Sequence, residues 1–276
     1  MAAPSNIRAP AGLRRIQVLA INSDGYPAAT STTVYEGVQV QNAKTLGLDD
    51  PAPREIIHTG DDRVYATQTL PPDRPITGTM SIDSINDALD ALLTGKVART
   101  IGEANLMGIG TDKKGEEIDV VLLAFRQARI ADLGSSDLGE KVWDSVCLCR
   151  TRVVPSQPGM GADTEPVEYS IVPGLTSKYP WGTSFSESAD GYTRAQGFRM
   201  STDYKPWIVA WKADGTTVAY TFHANRQAYS TGKIHRVWVN GALQTVTSDY
   251  TAATTGVTFV VAPATDAIIV CLYEWD

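Results

Sequence analysis

The chain has 276 residues, of which 43% are hydrophobic, and it carries a formal net charge of −7. A chain of this length can bury a large core in one or two domains without disulfides or a structural metal. It has no run of about 18 apolar residues and no apolar centre near its start, so we expect neither a membrane-spanning helix nor a signal peptide. The absence of a basic stripe argues against tight binding of nucleic acid.

The first quarter of the chain predicts an arm, two strands and a long loop. Residues 1–15 are rich in Ala and Pro and indicate an extended N-terminal arm. Residues 16–21 predict a strand that turns at residues 22–25, and residues 34–40 predict another strand. Residues 44–63 contain two prolines and five acids, so they predict a long loop. Loops of this length often carry function or an interface.

The next segment contains the one convincing helical pattern, which follows two predicted strands over residues 63–69 and 76–82. Ser84 can act as the N-cap of this helix, and Gly95 can end it. The apolar face between them consists of Ile85, Ala88, Leu89 and Leu92. A single amphipathic helix among strands is expected to lie with this face against a sheet.

Two long strands are predicted over residues 117–131 and 142–154, followed by a shorter one over residues 167–173. Cys147 and Cys149 stand two apart, so both lie on one face of their strand, and we expect them to be buried as small apolar side chains. Three cysteines without nearby histidines make no zinc site, and synthesis in a reducing cytoplasm is the simplest interpretation.

Composition divides the chain near residue 182. A Pro-Trp-Gly turn and the polar residues 184–191 predict a boundary between a domain of residues 1–182 and a domain of residues 183–276. The net charge is concentrated before this boundary, since residues 1–180 carry 23 acidic against 17 basic side chains. Ordinary solubilising charge is one interpretation of this excess, and a specific role is the other.

The second domain predicts short strands joined by tight turns. Residues 207–211 form one such strand, and Asn240-Gly241 between alternating apolar residues is the strongest hairpin signal in the chain. Trp207 and Trp211 fall on the same face of their strand. Packing in a core explains them without a sugar ligand.

The chain shows no pattern typical of catalysis, of a cofactor or of a metal site, so we do not expect an enzyme. The glycine-rich residues 108–115 lack the Lys and Ser/Thr of a phosphate loop and predict a hairpin turn. No G-x-S-x-G elbow is present, and the three histidines are scattered, which favours a structural role for His223. The paired acids at residues 49–50 and 61–62 do not match a calcium loop.

Three stretches near the end of the chain resemble a small β-sandwich module of tailed-bacteriophage structural proteins. They are residues 237–244 (VWVNGALQ), 248–251 (SDYT) and 256–263 (GVTFVVAP). The order of the elements before them is similar to that of the major tail (tail tube) proteins of long-tailed bacteriophages. The resemblance covers essentially the whole chain. It implies a mainly β fold, with a tail-tube-type β-sandwich or barrel, one flanking helix and a small C-terminal β-sandwich as a decoration.

The resemblance also implies a structural virion protein that is made in the host cytoplasm and resides in the tail. Six copies would form a ring, and stacked rings would form a tube that carries the genome, with residues 120–130 and 142–154 lining the channel. Residues 44–63 would be the ring-to-ring loop. The implied ring-stacking residues within it are Asp49, Asp50, Arg54 and Glu55.

The implied partners are further copies of the chain, the tape-measure and terminator proteins of the tail, and duplex DNA that passes without tight binding. The C-terminal domain would sit outside the tube, where it would either touch a host surface weakly or contribute only stability, and no part would insert into a membrane. Because DNA carries about one negative charge per 1.7 Å, an acidic channel wall would repel it. The candidate lumen or rim acids are Asp132, Asp137, Glu140 and Asp144.

Other functions remain open at this point. A tail-fibre or baseplate adhesin that binds host glycans contains the same small module, although this chain lacks the repeats and heptads common in fibres. A hydrolase or sugar-binding protein of two β domains would need acids and aromatic residues that converge in one cleft. The tube of a phage-derived injection machine is a close variant of the tail tube.

Overall fold

The computed structural model describes residues 7–41, 43–49, 54–60, 63–70, 77–83, 87–94, 98–101, 106–109, 118–131, 141–155, 167–173 and 197–276. Over these residues the chain is mainly β, with several antiparallel sheets and one short helix. The predicted mainly β fold is therefore confirmed.

The largest sheet has eight strands. The elements up to residue 202 are β1 (Ile7–Ala20), β2 (Val38–Val40), β3 (Ala43–Asp49), β4 (Arg54–Gly60), β5 (Arg63–Leu70), β6 (Thr77–Ile82), α1 (Asp87–Thr94), β7 (Ala98–Ile101), β8 (Leu106–Ile109), β9 (Asp119–Ala131), β10 (Lys141–Pro155), β11 (Val167–Pro173) and β12 (Gly197–Thr202). The sheet follows the order β2-β1-β9-β10-β11-β6-β3, and β12 also pairs with β10. Two hairpins, β4–β5 and β7–β8, form separate two-stranded sheets.

This sheet curls around α1. Cα atoms of β3, at one end of the strand order, come within 8 Å of β1, near the other end. Leu89 and Leu93 of the helix are buried in the core on this face, together with Val120 of β9. The hydroxyl of Tyr169 in β11 donates a hydrogen bond to Asp90 Oδ1 at 2.9 Å. The helix is therefore held to the sheet by apolar contact and by one polar bond.

The predicted helix is confirmed over α1, but its apolar face differs from the prediction. Leu89 is buried and Leu92 is half-buried as expected, whereas Leu93 is buried and Ala88 is exposed. The reason is that Leu89 and Leu93, four residues apart, lie one above the other and together bury the larger surface. Three residues of the predicted motif lie outside the described residues: Ser84, Ile85 and Gly95.

Both faces of β9 are buried. Along residues 120–125 the even-numbered side chains pack toward α1, while the odd-numbered ones join a second core. Cys147 and Cys149 are buried on that second face of the sheet, as predicted. The same core contains Trp207 and Trp211, both fully buried. The sheet and the C-terminal residues therefore share one apolar core.

The C-terminal residues form two further antiparallel sheets. Their strands are β13 (Lys205–Lys212), β14 (Ala219–Thr221), β15 (Ile234–Val239), β16 (Ala242–Leu243), β17 (Tyr250–Ala253), β18 (Gly256–Phe259) and β19 (Ile268–Trp275). The four-stranded sheet has the order β13-β19-β15-β16, and the three-stranded sheet has the order β14-β18-β17. Aromatic rings join the two sheets: the Phe222 and Tyr273 rings stack at 4.2 Å, and the Trp211 and Tyr220 centroids are 5.9 Å apart.

The Asn240-Gly241 hairpin is confirmed between β15 and β16. The φ angles are 47° at Asn240 and 78° at Gly241, the left-handed region that a two-residue hairpin of this kind requires. Asn240 also braces β19, since its backbone N–H donates to the Ile268 carbonyl oxygen and its Oδ1 accepts from the Ile268 N–H. The turn therefore stabilises the sheet as well as reversing the chain.

The side chain of Gln17 joins the large sheet to the C-terminal one. Its Nε2 donates to the Ile208 carbonyl oxygen at 2.6 Å and to that of Glu36 at 2.9 Å, while its Oε1 accepts from the Ile208 N–H at 3.1 Å. Beside it, Tyr35 and Ala210 exchange two backbone hydrogen bonds of 2.8 and 3.0 Å. The outer edge of β13 is thus occupied by groups from the N-terminal part of the chain.

Two predictions about the N-terminal part are wrong. Residues 7–15 are not a free arm, because they belong to β1 and pair with β9. Residues 44–63 are not one long loop, because β3 covers 43–49 and β4 covers 54–60. Composition misled the prediction, since the prolines at 51 and 53 fall between these two strands. Pairing with β6 and β5 satisfies the backbone groups on either side.

Other predicted boundaries need adjustment. Residues 34–40 contribute only the short β2, with Tyr35 in a bridge to Ala210. The predicted turn within residues 108–115 and the boundary at 182 lie outside the described residues, except that Gly108 and Ile109 belong to β8. Residues 197–202, which the sequence pattern assigned to the second domain, pair with β10 in the large sheet.

We expect Gln17→Met to lower the free energy of unfolding by about 3 kcal/mol, because both backbone groups of Ile208 would be buried without a partner. Urea denaturation measures this change. Gln244→Met is the matched control, since it removes an amide from a solvent-facing hydrogen bond and should cost less than about 0.5 kcal/mol. Equal losses in both variants would contradict the role of Gln17.

Tyr169→Phe should cost about 1 kcal/mol at neutral pH through loss of the bond to Asp90. Burial, with Asp90 nearby, raises the pKa of Tyr169 above its ordinary value. The unfolded chain therefore releases this phenolic proton first, at about pH 10, and the stabilisation by Tyr169 should fall as the pH rises beyond that value. Denaturation of the unaltered protein and of Tyr169→Phe at pH values from 8 to about 11 should show that the difference in their free energies of unfolding becomes smaller as the pH rises. A difference that stays constant with pH would contradict a stabilising role for the buried Tyr169 hydroxyl.

Candidate functional site

Asp144 is the one candidate channel acid within the described residues. It lies in β10, half-buried, directly opposite Arg126 of β9 and Ser201 of β12 in the strand register. Asp132, Asp137 and Glu140 lie outside the described residues. The structure therefore locates one member of the predicted acidic set and shows a basic residue on the neighbouring strand.

Asp144 lies in an open cleft of about 700 Å³ between β3 and the β9, β10 and β12 strands. Half-buried Leu46, Leu48 and Val146 form its apolar part. Its charged part includes Lys44 and Arg126 as well as the Asp144 carboxylate. A cleft with an apolar floor and charges of both signs suits a protein segment better than a nucleic-acid backbone, which requires positive charge.

The predicted ring-stacking residues are separated along two strands. Asp49 is the last residue of β3, paired in register with Thr77 of β6. Arg54 and Glu55 begin β4 and pair with Leu70 and Thr69 of β5. Asp50 lies outside the described residues. The three described positions, Asp49, Arg54 and Glu55, therefore flank the start of the β4–β5 hairpin.

A half-buried ion network that the sequence pattern did not predict lies where the two cores meet. The Arg226 guanidinium contacts Glu36 through Nη1 and donates to Gln39 Oε1 through Nη2 at 3.2 Å. The Glu36 side chain is only 13% exposed and that of Arg226 only 25%. The Tyr273 hydroxyl donates to the Arg226 carbonyl oxygen at 2.7 Å. Since these residues are far apart in the sequence, no local motif could reveal the network.

Three cations surround the indole of Trp275. Lys205 Nζ lies 4.6 Å from its centroid, and the guanidinium carbons of Arg15 and Arg226 lie 5.7 and 5.9 Å away. Burial, and Arg15 in second place, lower the pKa of Lys205. Arg226 also lies 5.0 Å from the centroid of Trp207. Cation–aromatic contacts of this kind stabilise the seam between the N-terminal and C-terminal elements.

Glu274 forms a second buried polar centre within the C-terminal sheets. Its side chain is 1% exposed, and Oε1 lies 2.5 Å from His235 Nε2 and 3.8 Å from Lys233 Nζ. Oε2 accepts a hydrogen bond of 2.7 Å from the Tyr204 N–H. Lys233 also contacts Asp203, a hydrogen bond that raises the pKa of this lysine. The centre is fully bonded, which suits a structural role.

An open groove of about 720 Å³ lies next to this centre. Polar side chains from β15 to β17 line it, among them His235, Arg236, Gln244, Thr245 and Thr251. His223 is exposed, and its Nδ1 accepts a bond from the Asn225 N–H. The side chains that line the groove carry many hydroxyl and amide groups, and none of them is an acid.

Within the described part of the chain, no group of three or more His, Cys, Asp or Glu side chains is placed to hold a metal ion. The three cysteines are buried and unpaired, and burial raises the pKa of Cys147 and Cys271. Among the same residues, no helix is long and apolar enough to cross a membrane.

We expect Arg226→Met to lower the free energy of unfolding by about 3 kcal/mol, because it leaves the Glu36 carboxylate buried without its counterion. Adding Glu36→Gln should restore part of this loss, since the uncompensated charge is then gone. Lys212→Met is the control, because its pair with Asp266 is solvent-exposed and is worth less than about 1 kcal/mol. Thermal and urea unfolding measure all variants. If the losses of unfolding free energy from Arg226→Met and Glu36→Gln simply added in the double variant, the interaction between Arg226 and Glu36 would be contradicted.

Comparison with known proteins adds no relative. No family model matches the chain, and no curated protein matches it. The function must therefore be argued from the residues and the geometry described above.

Proposed function

We propose that this chain is the structural subunit of a bacteriophage tail tube, in which hexameric rings stack into a conduit for the genome. The observation that carries the proposal is a run of three adjacent long strands. β1, β9 and β10 contain 14, 13 and 15 residues and pair along most of their lengths. Long antiparallel ribbons suit a wall that is completed by neighbouring copies. Residues 120–125 of β9 are buried on both faces, so this part of the expected lining strand would not face the channel.

The edges of this wall support self-assembly. β3 ends the strand order of the large sheet, and the β4–β5 hairpin pairs only within itself among the described residues. Unpaired strand edges are places where another chain can add hydrogen bonds. A contact repeated by rotation closes a ring, and one repeated along an axis builds a filament. The hairpin takes over the ring-to-ring role that the resemblance gave to a loop, with Asp49 at the end of the preceding strand and Arg54 and Glu55 at its start.

The cleft at Asp144 supports a contact between copies within one ring. Its apolar residues Leu46, Leu48 and Val146 are half-buried in the single chain, and its charges have both signs. A neighbouring copy that fills the cleft would bury this surface. The channel wall would then draw its negative charge from the candidate acids near the ends of β9 and β10.

In this proposal the partners are other copies of the chain, the tape-measure and terminator proteins, and passing DNA. The overall charge of −7 fits a wall to which the genome does not adhere. The location is the virion tail, and no catalytic step is required. The two C-terminal sheets form part of the wall, because they share a core with the large sheet.

Negative-stain electron microscopy of the purified chain tests the proposal, with six-fold rings or hollow tubes as the expected result. A variant in which a short Gly-Ser turn replaces residues 54–70 should still form rings but should lose stacking, because only the hairpin is removed. Gln244→Met, a surface change remote from the hairpin, should leave the tubes intact.

Trimers or monomers at every concentration would contradict the tail tube and would favour the adhesin. The groove at His235 supports that second candidate, because hydroxyl and amide side chains are the groups that hold sugars. Tubes formed equally well by the variant lacking residues 54–70 would contradict the stacking role of the hairpin alone.

A further inference from the structure

Two tyrosine rings are stacked at the surface of the C-terminal sheets. The centroids of Tyr204 and Tyr229 are 3.6 Å apart, and the ring planes differ by 18°. Tyr204 lies in the turn between β12 and β13, and Tyr229 lies in the segment that precedes β15. Neither residue belongs to the surfaces argued above for tube assembly, so a role for this pair is independent of that function.

The backbone holds this stack in place. The Tyr204 N–H donates to Glu274 Oε2 at 2.7 Å, and the Tyr229 N–H donates to the Glu274 carbonyl oxygen at 2.9 Å. The Tyr204 carbonyl oxygen also accepts a bond of 2.8 Å from Thr202 Oγ1. Aromatic pairs left to themselves prefer offset or edge-to-face arrangements with centroids about 4.5–7 Å apart. The closer parallel stack is therefore imposed by two backbone anchors on one buried residue.

One ring of the stack is accessible to solvent, and the second ring lies against it. Tyr229 is 50% exposed, so a reagent in solution reaches one ring directly. The Tyr229 side chain beside it is the main cause that raises the pKa of Tyr204 to about 12. A radical formed on the exposed ring is in direct contact with the second ring.

We propose that Tyr204 and Tyr229 form a built site for oxidative cross-linking, in which a one-electron oxidant of the haem-peroxidase class joins the rings as dityrosine. Each phenol gives up one electron and one proton, which leaves two phenoxyl radicals. One carbon ortho to each oxygen then contributes its electron to a new carbon–carbon bond. The hydrogens on these two carbons move to the phenolic oxygens and restore both aromatic rings.

The reaction removes two electrons and two protons in total, and these convert one hydrogen peroxide into two waters. Parallel stacking favours the bond-forming step, because the radical faces already overlap and no rotation of the chain is needed to bring them together. Among the described residues this is the one contact between two tyrosine rings, so the site is specific within that part of the chain. The bond would staple the β13 turn to the segment before β15.

The test treats the full-length protein with a haem peroxidase and hydrogen peroxide. Dityrosine fluorescence, a mass loss of two hydrogens and a linked peptide pair containing residues 204 and 229 are expected, with the product at monomer size on a denaturing gel. Tyr229→Phe and Tyr204→Phe should both abolish the linked pair, and circular dichroism checks that they fold. Tyr26→Phe should retain it, because that hydroxyl is bonded elsewhere, to the Asn240 carbonyl oxygen.

Two results would overturn the proposal. One is oxidised tyrosine without the linked pair in the unaltered protein, which would show that the stack does not direct coupling. The other is a product confined to linked chains, or one that persists in Tyr229→Phe, which would place the chemistry at other tyrosines. Tyr204→Phe distinguishes the exposure of Tyr229 from the presence of a second phenol beside it, because this variant keeps the exposed Tyr229 ring and removes only the Tyr204 hydroxyl.

Discussion

The buried amide of Gln17 is the constraint on which the rest of the structure depends. It lies in the middle of β1, where an apolar residue would be the ordinary choice, and it bonds both backbone groups of Ile208. A buried polar group is tolerated only when it is bonded, so this side chain requires β13 to lie beside it in one register. The position of the four-stranded sheet follows, because β13 pairs with β19 along its whole length.

The same requirement explains why the two halves of the chain are not independent. β9 is buried on both faces, and the face away from α1 is covered by C-terminal aromatic residues. The large sheet has a core of its own on the α1 face, whereas the core on its other face is shared with the C-terminal sheets. Removing either would expose a continuous apolar surface, which soluble domains rarely tolerate. The C-terminal sheets are therefore part of the body of the protein, and a tube built from it would have them in its wall.

Polar groups concentrate along the seam between these halves. The Glu36–Arg226 pair and the cations around Trp275 lie close to the Gln17 contact, and all of them join residues that are distant in the sequence. An ion pair of this kind adds little net stability over apolar packing, yet it penalises any other alignment in which a charge loses its partner. We infer that these polar contacts select one relative arrangement of the large sheet and the C-terminal sheets. The proposed tube would require such definition, because its copies would have to repeat in a regular wall.

The sequence by itself determined the local structure. Long apolar runs located the long strands β9 and β10, the spacing of leucines located α1, and Asn240-Gly241 located a hairpin, because each depends on neighbours within a few residues. Composition misplaced residues 7–15 and 44–63, whose strands exist because distant strands supply their hydrogen bonds. The same holds for the functional candidates. Acids and aromatic residues could be named in advance, but the cleft at Asp144, the Arg226 network and the Tyr204–Tyr229 stack were decided by tertiary structure alone, since each is a contact between segments that the linear pattern keeps apart.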